Sequence, residues 1–203
     1  IHEQNAYPGV TTRILSKRVD TVMLTVPEAL EYLDKDINYT VTGLPVRKGF
    51  TNSLSREEAK KQLGFDDGMC ILSWGGSLGA GAVNDVAAEL IRHEQENGLK
   101  INHIHSYSKM GHDTFEQKLK ENGVDTSSSR LMVKEYIHNM DVCTAAADLI
   151  ICRSGASAIS ELEAMGRASI LIPSPNVAGN HQYHNAMVLG KAGAPVVVEQ
   201  KDL

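Results

Sequence analysis

Short runs of apolar and β-branched residues alternate with segments of helical period over most of this 203-residue chain. From about residue 39 onward the alternation is regular, which is typical of repeated βα units built around a parallel sheet. Runs such as 149–152 are wholly apolar, and strands of this kind are buried on both faces. We therefore expect an α/β fold whose parallel sheet is covered by helices on each side.

The same pattern predicts the individual elements. Strands are expected over 39–42, 70–74, 101–107, 131–135, 149–152, 169–172 and 196–199, and helices over 83–95, 113–122 and 157–165. The helix 83–95 is the clearest, because its apolar residues recur at the three- and four-residue spacing of one helical face. The first 38 residues differ, with a short helix near 9–17 and a strand near 21–25. They are too few to form a domain alone.

Composition and charge exclude several classes of protein. Apolar residues make up 42% of the chain and charged residues 22%, close to the globular average, which argues against disorder. A net charge of −5 argues against a nucleic-acid partner, because nucleic-acid-binding domains usually carry a basic face. The apolar runs in this sequence fall far short of the roughly 18 residues that a membrane span requires.

The three cysteines indicate the cellular compartment of the protein, and the first residues indicate whether the sequence is truncated. Cys70, Cys143 and Cys152 form no CxxC pair and lie in apolar contexts, which predicts reduced thiols in the core of a cytosolic protein. The sequence begins at Ile1 without Met and enters a polar run at once, from which we expect a truncated protein.

The strongest local signal is Gly75-Gly76-Ser77-Leu78-Gly79-Ala80, between a predicted strand and a predicted helix. Glycines let the backbone approach a ligand closely, and the free N–H groups of a helix start favour phosphate, so we expect a diphosphate there. A tight turn that needs glycine only for its backbone angles is the alternative. The spacing fits neither G-x-G-x-x-G nor G-x-x-x-x-G-K-[ST], which weakens the case for a dinucleotide site or a P-loop.

A second strand, turn and helix carries Glu161 within the first turns of its helix. This position faces the crevice at the carboxyl ends of the strands, where α/β proteins bind ligands. A carboxylate accepts two hydrogen bonds at once, which suits the vicinal hydroxyls of a ribose. The alternative is a carboxylate that only interacts with the helix dipole. For Arg153, just before the turn, the alternative is a structural ion pair.

Polar side chains also follow the strand predicted at 169–172. Gln182 and Asn185 lie three residues apart, hence on one helical face, and two amides on one face can read sugar hydroxyls. His181 and His184 share this spacing, but a zinc site needs further ligands and no Cys or carboxylate is suitably spaced. We therefore predict no metal site.

Arg47 and the first residues of the chain complete the candidates. Arg47 lies near the boundary between the two compositional zones, and its permanent charge would suit a diphosphate; a surface arginine is the alternative. His2 and Glu3 are candidate acids or bases, and Asn5 is a candidate sugar contact. A terminal polar run that is merely solvated is the alternative for these three.

The identity and order of these motifs resemble the MurG family of peptidoglycan N-acetylglucosaminyltransferases, which convert lipid I to lipid II. The resemblance spans essentially the whole chain. Its motifs are His2-Glu3-Gln4-Asn5 with Pro8-Gly9, Gly43-Leu44-Pro45-Val46-Arg47, Gly75-Gly76-Ser77-Leu78-Gly79-Ala80, Tyr136-Ile137-His138-Asn139-Met140, Ala147-Asp148, Arg153-Ser154-Gly155-Ala156 with Ser160-Glu161, and His181-Gln182 with Asn185-Ala186.

The resemblance implies a GT-B fold, in which two Rossmann-like domains face a cleft. Residues 1–42 would be the C-terminal part of the acceptor-binding domain, and 43–203 the UDP-sugar donor domain without its closing helix. The implied partners are UDP-N-acetylglucosamine and lipid I, with no cofactor and no metal, at the cytoplasmic face of the bacterial membrane as a peripheral protein. Family members carry a further histidine and an apolar membrane-facing patch upstream of the segment that corresponds to 2–5.

The resemblance also assigns roles to the nucleotide-binding residues. Glu161 would bind the ribose hydroxyls, the backbone of Ile137 the uracil edge, and Ser77 with its flanking amides the diphosphate. The turn lining the nucleotide pocket would consist of Ala156, Ser157, Ala158, Ile159 and Ser160. Leu44 and Leu78 stand where the family often has Asn and Gln, so polar contacts from these two positions are not expected.

The remaining roles concern the sugar and the reaction. Gln182 and Asn185 would read the sugar hydroxyls, and Arg47 and Asn5 would complete the cleft. The implied reaction is inverting: the 4-OH of the muramoyl sugar attacks the anomeric carbon from the face opposite the departing UDP. The helix start after 75–79 and Arg47 would stabilise the leaving-group charge in place of a metal.

The catalytic base and the reaction class have alternatives. His2 and Glu3 are candidates for the base, beside the upstream histidine of the family. Two other functions remain open: a donor subunit of a two-chain transferase that binds the UDP-sugar without catalysis, and a UDP-sugar epimerase. The segment 2–5 favours a single longer chain over a donor subunit, because such a subunit would not need an acceptor-side segment.

Overall fold

The computed structural model describes residues 1–51 and 54–203, and its strands form two parallel sheets. The strands in these ranges are β1 (His2–Glu3), β2 (Val22–Leu24), β3 (Tyr39–Val41), β4 (Met69–Trp74), β5 (Ile101–Ser106), β6 (Leu131–Lys134), β7 (Leu149–Cys152), β8 (Ser169–Leu171) and β9 (Val196–Val197). The small sheet has the order β1-β2-β3, and the large sheet has the order β6-β5-β4-β7-β8-β9.

Helices occupy most of the connections between these strands. The α-helices in the described ranges are α1 (Val10–Leu15), α2 (Lys48–Thr51), α3 (Arg56–Gln62), α4 (Gly81–Glu96), α5 (Phe115–Glu121), α6 (Met140–Ala146), α7 (Ala156–Met165) and α8 (His181–Lys191). Short 3₁₀ turns lie at Pro27–Tyr32, Lys109–Gly111, Ala178–Asn180 and Gln200–Asp202. In the described part of the chain, no helix is both long and apolar enough to cross a membrane.

The order of the large sheet reverses at its centre. From β4 the chain moves outward through β5 and β6, and it then returns to the other side of β4 as β7, β8 and β9. At the ends of these strands, Trp74 of β4 pairs with Ser106 of β5 and with Cys152 of β7. The carboxyl ends of all three strands therefore meet at one edge, and the turns after β4 and β7 flank the switch point where open α/β sheets bind ligands.

The core lies on both faces of the large sheet, as the apolar strands predict. Neighbouring residues of β4 point to opposite sides: Ile71 packs with Val83 of α4, and Leu72 packs with Leu162 of α7. Leu72 is fully buried, a placement that is worth about 1.5–3 kcal/mol for a side chain of this size. The predicted α/β architecture with helices on both faces is confirmed.

The predicted elements agree with the structure in type and order. All eight predicted strands are present, with ends shifted by up to two residues, and the helices predicted at 9–17, 83–95, 113–122 and 157–165 appear as α1, α4, α5 and α7. The helix implied by the spacing of Gln182 and Asn185 is α8. The missed elements are short: β1 has two residues, and α2, α3 and α6 have four, seven and seven. Segments of this length give too few repeats for periodicity to be recognised.

The cysteines are also where the sequence predicts them. Cys70, Cys143 and Cys152 are free and buried. Burial raises the pKa of the Cys152 thiol to about 12, so this group stays protonated and unreactive at neutral pH.

Candidate functional site

A cleft of about 910 Å³ lies at the carboxyl ends of β4, β5 and β7. This volume is typical of ligand pockets, which span roughly 300–1,000 Å³. The turn after β4 contributes residues 74–82 to its lining, and the turn after β7 contributes Arg153 and residues 155–158. The two strand–turn–helix units singled out by the sequence thus face the same space, at the switch point of the sheet.

The glycine-rich loop after β4 is a tight turn that only glycine permits at several positions. Gly76 and Gly79 have φ of +91° and +86°. A Cβ atom on Gly75 would lie 2.4 Å from the amide nitrogen of Ala80, and one on Gly79 would lie 3.0 Å from Cβ of Ser108. Steric demand thus explains these glycines, whichever ligand the loop binds.

The loop also ends in an uncapped helix start. Ala80 is the N-cap of α4 and offers no side-chain hydrogen bond to the first turn, so the N–H groups of that turn have no side-chain acceptor. Ser77 is exposed and lines the cleft in front of them. N–H groups without a side-chain cap at the positive end of a 16-residue helix favour an anion, which agrees with the diphosphate expected here.

Glu161 lies on the face of α7 that lines the cleft, paired with Arg47. Arg47 Nε donates to Glu161 Oε1 at 2.8 Å, which raises the pKa of Arg47. The Glu161 side chain is 16% exposed and that of Arg47 is 62% exposed. The Arg47 guanidinium also stacks 4.6 Å from the ring centroid of Phe50. The structure therefore brings these two predicted residues together and gives the carboxylate a partner that a ribose would have to displace or share.

The turn after β6 forms the far wall of the cleft. Tyr136 is exposed and Ile137 is 5% exposed, and both line the cleft. Among the hydrogen bonds of the described residues, none involves the amide or the carbonyl of Ile137. This backbone offers one donor and one acceptor side by side, which is the pattern that a uracil edge requires.

The two amides of α8 have different surroundings. Gln182 lines the cleft, and its Oε1 accepts from the amide of Ser174 at 2.9 Å; its Nε2 donors make no hydrogen bond among the described residues. Asn185 is 6% exposed and lies behind the cleft wall. Its Oδ1 accepts from Ala6 N at 2.8 Å, and its Nδ2 donates to Asn5 Oδ1 at 3.0 Å. The roles of Asn185 and Asn5 as sugar contacts stay predictions, and the structure shows these two side chains bonded to each other.

His2 and Glu3 also lie outside the cleft lining in the part of the chain that the structure describes. Burial raises the pKa of Glu3, but hydrogen bonds from Thr12, Asn5 and Gly9 outweigh it, so the pKa falls below the usual 4.5. A carboxylate held by several donors is a poor proton acceptor near neutral pH. His2 Nε2 lies 3.2 Å from the Gly43 carbonyl. Their roles in catalysis stay predictions.

The remaining predicted positions divide between two spaces. Ala156, Ser157 and Ala158 line the cleft. Ile159 and Ser160 lie on the other side of α7, where they line a small second cavity with Asn185. Three of the five residues of the predicted turn 156–160 therefore line the cleft, because a helix turns its successive residues through 100° each.

Sequence reasoning missed the turn after β5. Ser106, Ser108 and Met110 line the cleft beside the glycine-rich loop. These residues have no motif of their own, but they follow a predicted strand, and the rule that ligands bind at the carboxyl ends of strands would have included them. Arg153, which the sequence singles out without a role, also lines the cleft; it is 8% exposed, and its guanidinium donates to the carbonyls of Ile172 and Pro173.

The two histidines of α8 have contacts within the protein. His181 Nδ1 donates to the Ala178 carbonyl at 3.0 Å, and the His184 ring stacks on Tyr7 at 4.8 Å. Within residues 1–51 and 54–203, no group of three or more His, Cys, Asp or Glu side chains is placed to hold a metal ion.

Comparison with known proteins identifies the family. Residues 70–203 match the glycosyltransferase family 28 C-terminal domain. The UDP-N-acetylglucosamine--N-acetylmuramyl-(pentapeptide) pyrophosphoryl-undecaprenol N-acetylglucosamine transferase of Acetivibrio thermocellus is 42% identical, over 100% of this chain and 54% of that protein. The enzyme of the same name from Desulforamulus reducens is 38% identical, over 100% of this chain and 55% of that protein. The chain spans about half the length of the curated relatives it matches.

Solved structures agree with this result. The crystal structure of Acinetobacter baumannii MurG superimposes with a TM-score of 0.73 and 26% identity, covering 100% of this chain and 53% of that chain. The glycosyltransferase of kitacinnamycin has a TM-score of 0.61 and 14% identity, covering 91% of this chain and 43% of that chain, which shows the shared fold alone. The two parallel sheets with their helices thus have the GT-B architecture, and the chain belongs to the family of the glycosyltransferase family 28 C-terminal domain.

Proposed function

We propose that the full-length protein transfers N-acetylglucosamine from UDP-N-acetylglucosamine to the 4-OH of the muramoyl sugar of lipid I, giving lipid II with inversion at the anomeric carbon. One observation carries the proposal: the uncapped start of α4 and the carboxylate of Glu161 face one cleft at the switch point of the sheet. These are the two groups that a nucleoside diphosphate requires, a site for phosphate and an acceptor for ribose hydroxyls. The names of the curated relatives support the donor and the acceptor.

The donor would lie across the switch point. Its uracil would meet the free backbone groups of Ile137, and its ribose would meet Glu161. Its diphosphate would lie on the amides of the 75–79 loop with Ser77, and the Nε2 donors of Gln182 would reach the sugar. Preorganised N–H groups aimed at the developing charge of the leaving UDP would then supply the main catalytic effect.

Arg47 would change partners during binding. In the free protein its Nε donates to Glu161. Ribose hydroxyls would compete for that carboxylate, and the diphosphate would offer the guanidinium two or more oxygens in the fork geometry that arginine prefers. We infer that the nucleotide releases Arg47 from Glu161 and pairs it with the diphosphate.

The acceptor side follows from the chemistry of lipid I. Its undecaprenyl chain lies in the bilayer, so the protein would work as a peripheral enzyme at the cytoplasmic face of the bacterial membrane. Residues 1–42 would be part of the acceptor-binding domain, and 43–203 would form the donor domain. The catalytic base would come from the acceptor side; of the two candidates on this chain, His2 and Glu3, His2 is the stronger, because the hydrogen bonds to Glu3 outweigh its burial and lower its pKa.

Calorimetric titration of UDP-N-acetylglucosamine into the full-length protein tests the nucleotide site. We expect Glu161→Ala to weaken binding at least tenfold, or about 1.4 kcal/mol, because the ribose loses its carboxylate. Glu163→Ala is the control, since Glu163 is exposed on the same helix but does not line the cleft. An unchanged affinity in Glu161→Ala would contradict the assigned ribose site.

The reaction class is tested by measuring, with and without lipid I, the UDP released and the identity of the UDP-sugar that remains. A transferase releases UDP only when lipid I is present. A donor subunit would bind the UDP-sugar and release no UDP in either case. An epimerase would convert the UDP-sugar without any acceptor, and either of these two results would overturn the proposed transfer reaction.

A further inference from the structure

Five polar side chains form a continuous hydrogen-bonded chain inside the protein, between β4, β5 and α4. They are Glu94, His103, Ser73, His105 and Asn84, and each is at most 7% exposed. The Glu94 carboxylate lies 3.0 Å from His103 Nδ1, and His103 Nε2 lies 3.0 Å from Ser73 Oγ. The same hydroxyl lies 2.8 Å from His105 Nδ1, and His105 Nε2 lies 3.2 Å from Asn84 Oδ1. None of the five belongs to the described lining of the cleft.

The directions of the hydrogen bonds between Asn84 and His103 follow from the orientation of the Asn84 amide. Asn84 Nδ2 donates to the Tyr107 carbonyl at 3.0 Å, which orients the amide so that its Oδ1 accepts from His105 Nε2. Burial lowers the pKa of His105 to about 3, so the ring carries one proton and its Nδ1 must accept. The Ser73 hydroxyl then donates to His105 and accepts from His103 Nε2. Each link from His103 to Asn84 therefore has a single direction.

At the other end of the hydrogen-bonded chain, the carboxyl group of Glu94 pairs with His103. Because His103 donates from Nε2 to Ser73, its Nδ1 faces the Glu94 carboxyl group with one proton to share. The pair is either an imidazolium beside a carboxylate or a neutral ring beside a carboxylic acid. Both forms are neutral as a pair and fully hydrogen-bonded, which is what allows two ionisable groups to stay buried.

The hydrogen-bonded chain of side chains contacts the turn 107–111, and this turn contacts the glycine-rich loop. Ser108 follows the Tyr107 carbonyl with φ of +52°, a conformation that residues other than glycine rarely adopt. Its hydroxyl donates to the Gly76 carbonyl at 2.9 Å. A Cβ atom on Gly111 would lie 2.9 Å from Asn84 Nδ2, so the turn also packs directly on the first turn of α4. The turn is therefore held between Asn84 and the loop that faces the cleft.

Apolar side chains in place of these five would stabilise the fold as well as the polar side chains do. Buried polar groups lose their hydration, and replacing a satisfied polar cluster by apolar residues is often neutral or stabilising. What the hydrogen-bonded chain adds is a fixed direction at each link from His103 to Asn84, which specifies one geometry for the turn 107–111. The geometry of the turn affects the glycine-rich loop through the hydrogen bond from Ser108 to the Gly76 carbonyl.

We propose that the hydrogen-bonded chain of five side chains, from Glu94 to Asn84, positions the diphosphate site. It fixes the turn 107–111 on the first turn of α4 and thereby fixes the glycine-rich loop through Ser108. These five side chains are positioning residues and touch no substrate. The inference rests on the proposed function, because it takes a nucleoside diphosphate as the occupant of the cleft.

Ser73→Ala in the full-length protein tests the inference, since it removes the hydroxyl that joins the two histidines. We expect the affinity for UDP to fall at least fivefold, while the affinity for uridine, which reports the nucleoside end alone, stays within twofold of wild type. Ser73→Thr keeps the hydroxyl and should restore the wild-type ratio of the two affinities. Competition calorimetry measures both ligands.

A matched control separates positioning from stability. Ile91→Val removes one methyl group from the buried face of α4 and no hydrogen-bonding group; Ile91 is 1% exposed. It should lower the melting temperature without changing the ratio of UDP to uridine affinity. An unchanged ratio in Ser73→Ala, beside a lowered melting temperature, would overturn the inference.

A second variant keeps the test decisive if Ser73→Ala does not fold. Asn84→Ala removes the two hydrogen bonds of the last member, to His105 and to the Tyr107 carbonyl, and leaves both histidines bonded to Ser73. It must show the same selective loss of UDP affinity, and equal losses for UDP and uridine would overturn the inference. A wild-type protein that binds neither UDP nor uridine would overturn the proposed function itself.

Discussion

The pair formed by Arg47 and Glu161 shows how one ion pair at a cleft can serve binding. The distance between Arg47 Nε and Glu161 Oε1 is 2.8 Å, but the arginine is more than half exposed. Exposed ion pairs contribute only about 0.2–1 kcal/mol, because solvent screens the charges and the side chains lose rotamer freedom. A ligand can therefore exchange the pair for its own contacts at little cost.

Arg47→Ala should change the affinities for uridine and UDP in opposite directions. Removal of the arginine frees Glu161 for the ribose, so uridine should bind up to about fivefold more tightly, the equivalent of about 1 kcal/mol. UDP should bind less tightly, because its diphosphate loses the guanidinium. Lys48→Ala is the control, as it removes a charge from the next residue in the chain. Equal losses for both ligands in Arg47→Ala would show that Arg47 only supports the fold.

At the residue scale, the sequence predicts chemical types better than partners. The three-residue spacing of Gln182 and Asn185 correctly places both on one helix, and both amides find hydrogen-bond partners. Gln182 faces the cleft and Asn185 faces the segment 5–6, which is about 180 positions away in the chain. Tertiary packing decides this difference, and no local pattern reports it.

The glycine-rich loop illustrates the same limit at the scale of an element. The sequence predicts the strand, the turn and the helix correctly, and the glycines at 76 and 79 have the positive φ that a tight turn requires. The contact of Gly79 with the turn after β5 depends on parallel pairing between β4 and β5, which brings their carboxyl ends together. The capping box of Ser55 and Glu58 was a readable signal for α3 that periodicity missed.

Gly79→Ala should damage both stability and binding. The substitution forces a positive φ on alanine and places its Cβ 3.0 Å from the Cβ atoms of Ser108 and Met110. We expect a loss of about 1–3 kcal/mol in the free energy of unfolding, measured with urea, and at least a tenfold loss in UDP affinity. Gly98→Ala is the matched control: its φ is +61°, but nothing lies within 4 Å of the added atom.

The control isolates the cost of the backbone angle from the cost of the clash. Gly98→Ala should lose about 1 kcal/mol of stability and keep the UDP affinity of the wild type. If Gly79→Ala behaved in the same way, the close packing of the two turns would be irrelevant to the site.

At the scale of the whole molecule, α8 connects the two sheets. The buried Asn185 links the segment after β1 to the end of β7, since its Nδ2 also donates to the Ser154 carbonyl at 3.3 Å. Tyr7 stacks on His184 beside it, with 19° between the rings. These contacts join residues near the start of the chain to the large sheet. The sequence alone predicts the two compositional zones but not the surface on which they meet.

Asn185→Ala separates this joining role from the sugar-reading role that the sequence predicts. Truncation leaves the buried amide of Ala6 without its acceptor, which should cost about 1–3 kcal/mol in the free energy of unfolding measured with urea. We expect the affinities for UDP and for UDP-N-acetylglucosamine to stay within twofold of wild type. Gln182→Ala is the counterpart on the same helix: it should keep most of the stability and weaken UDP-N-acetylglucosamine binding more than UDP binding. If Asn185→Ala instead lost affinity for the sugar nucleotide alone and kept its stability, Asn185 would be a sugar contact, and the connection between the sheets would depend on other residues.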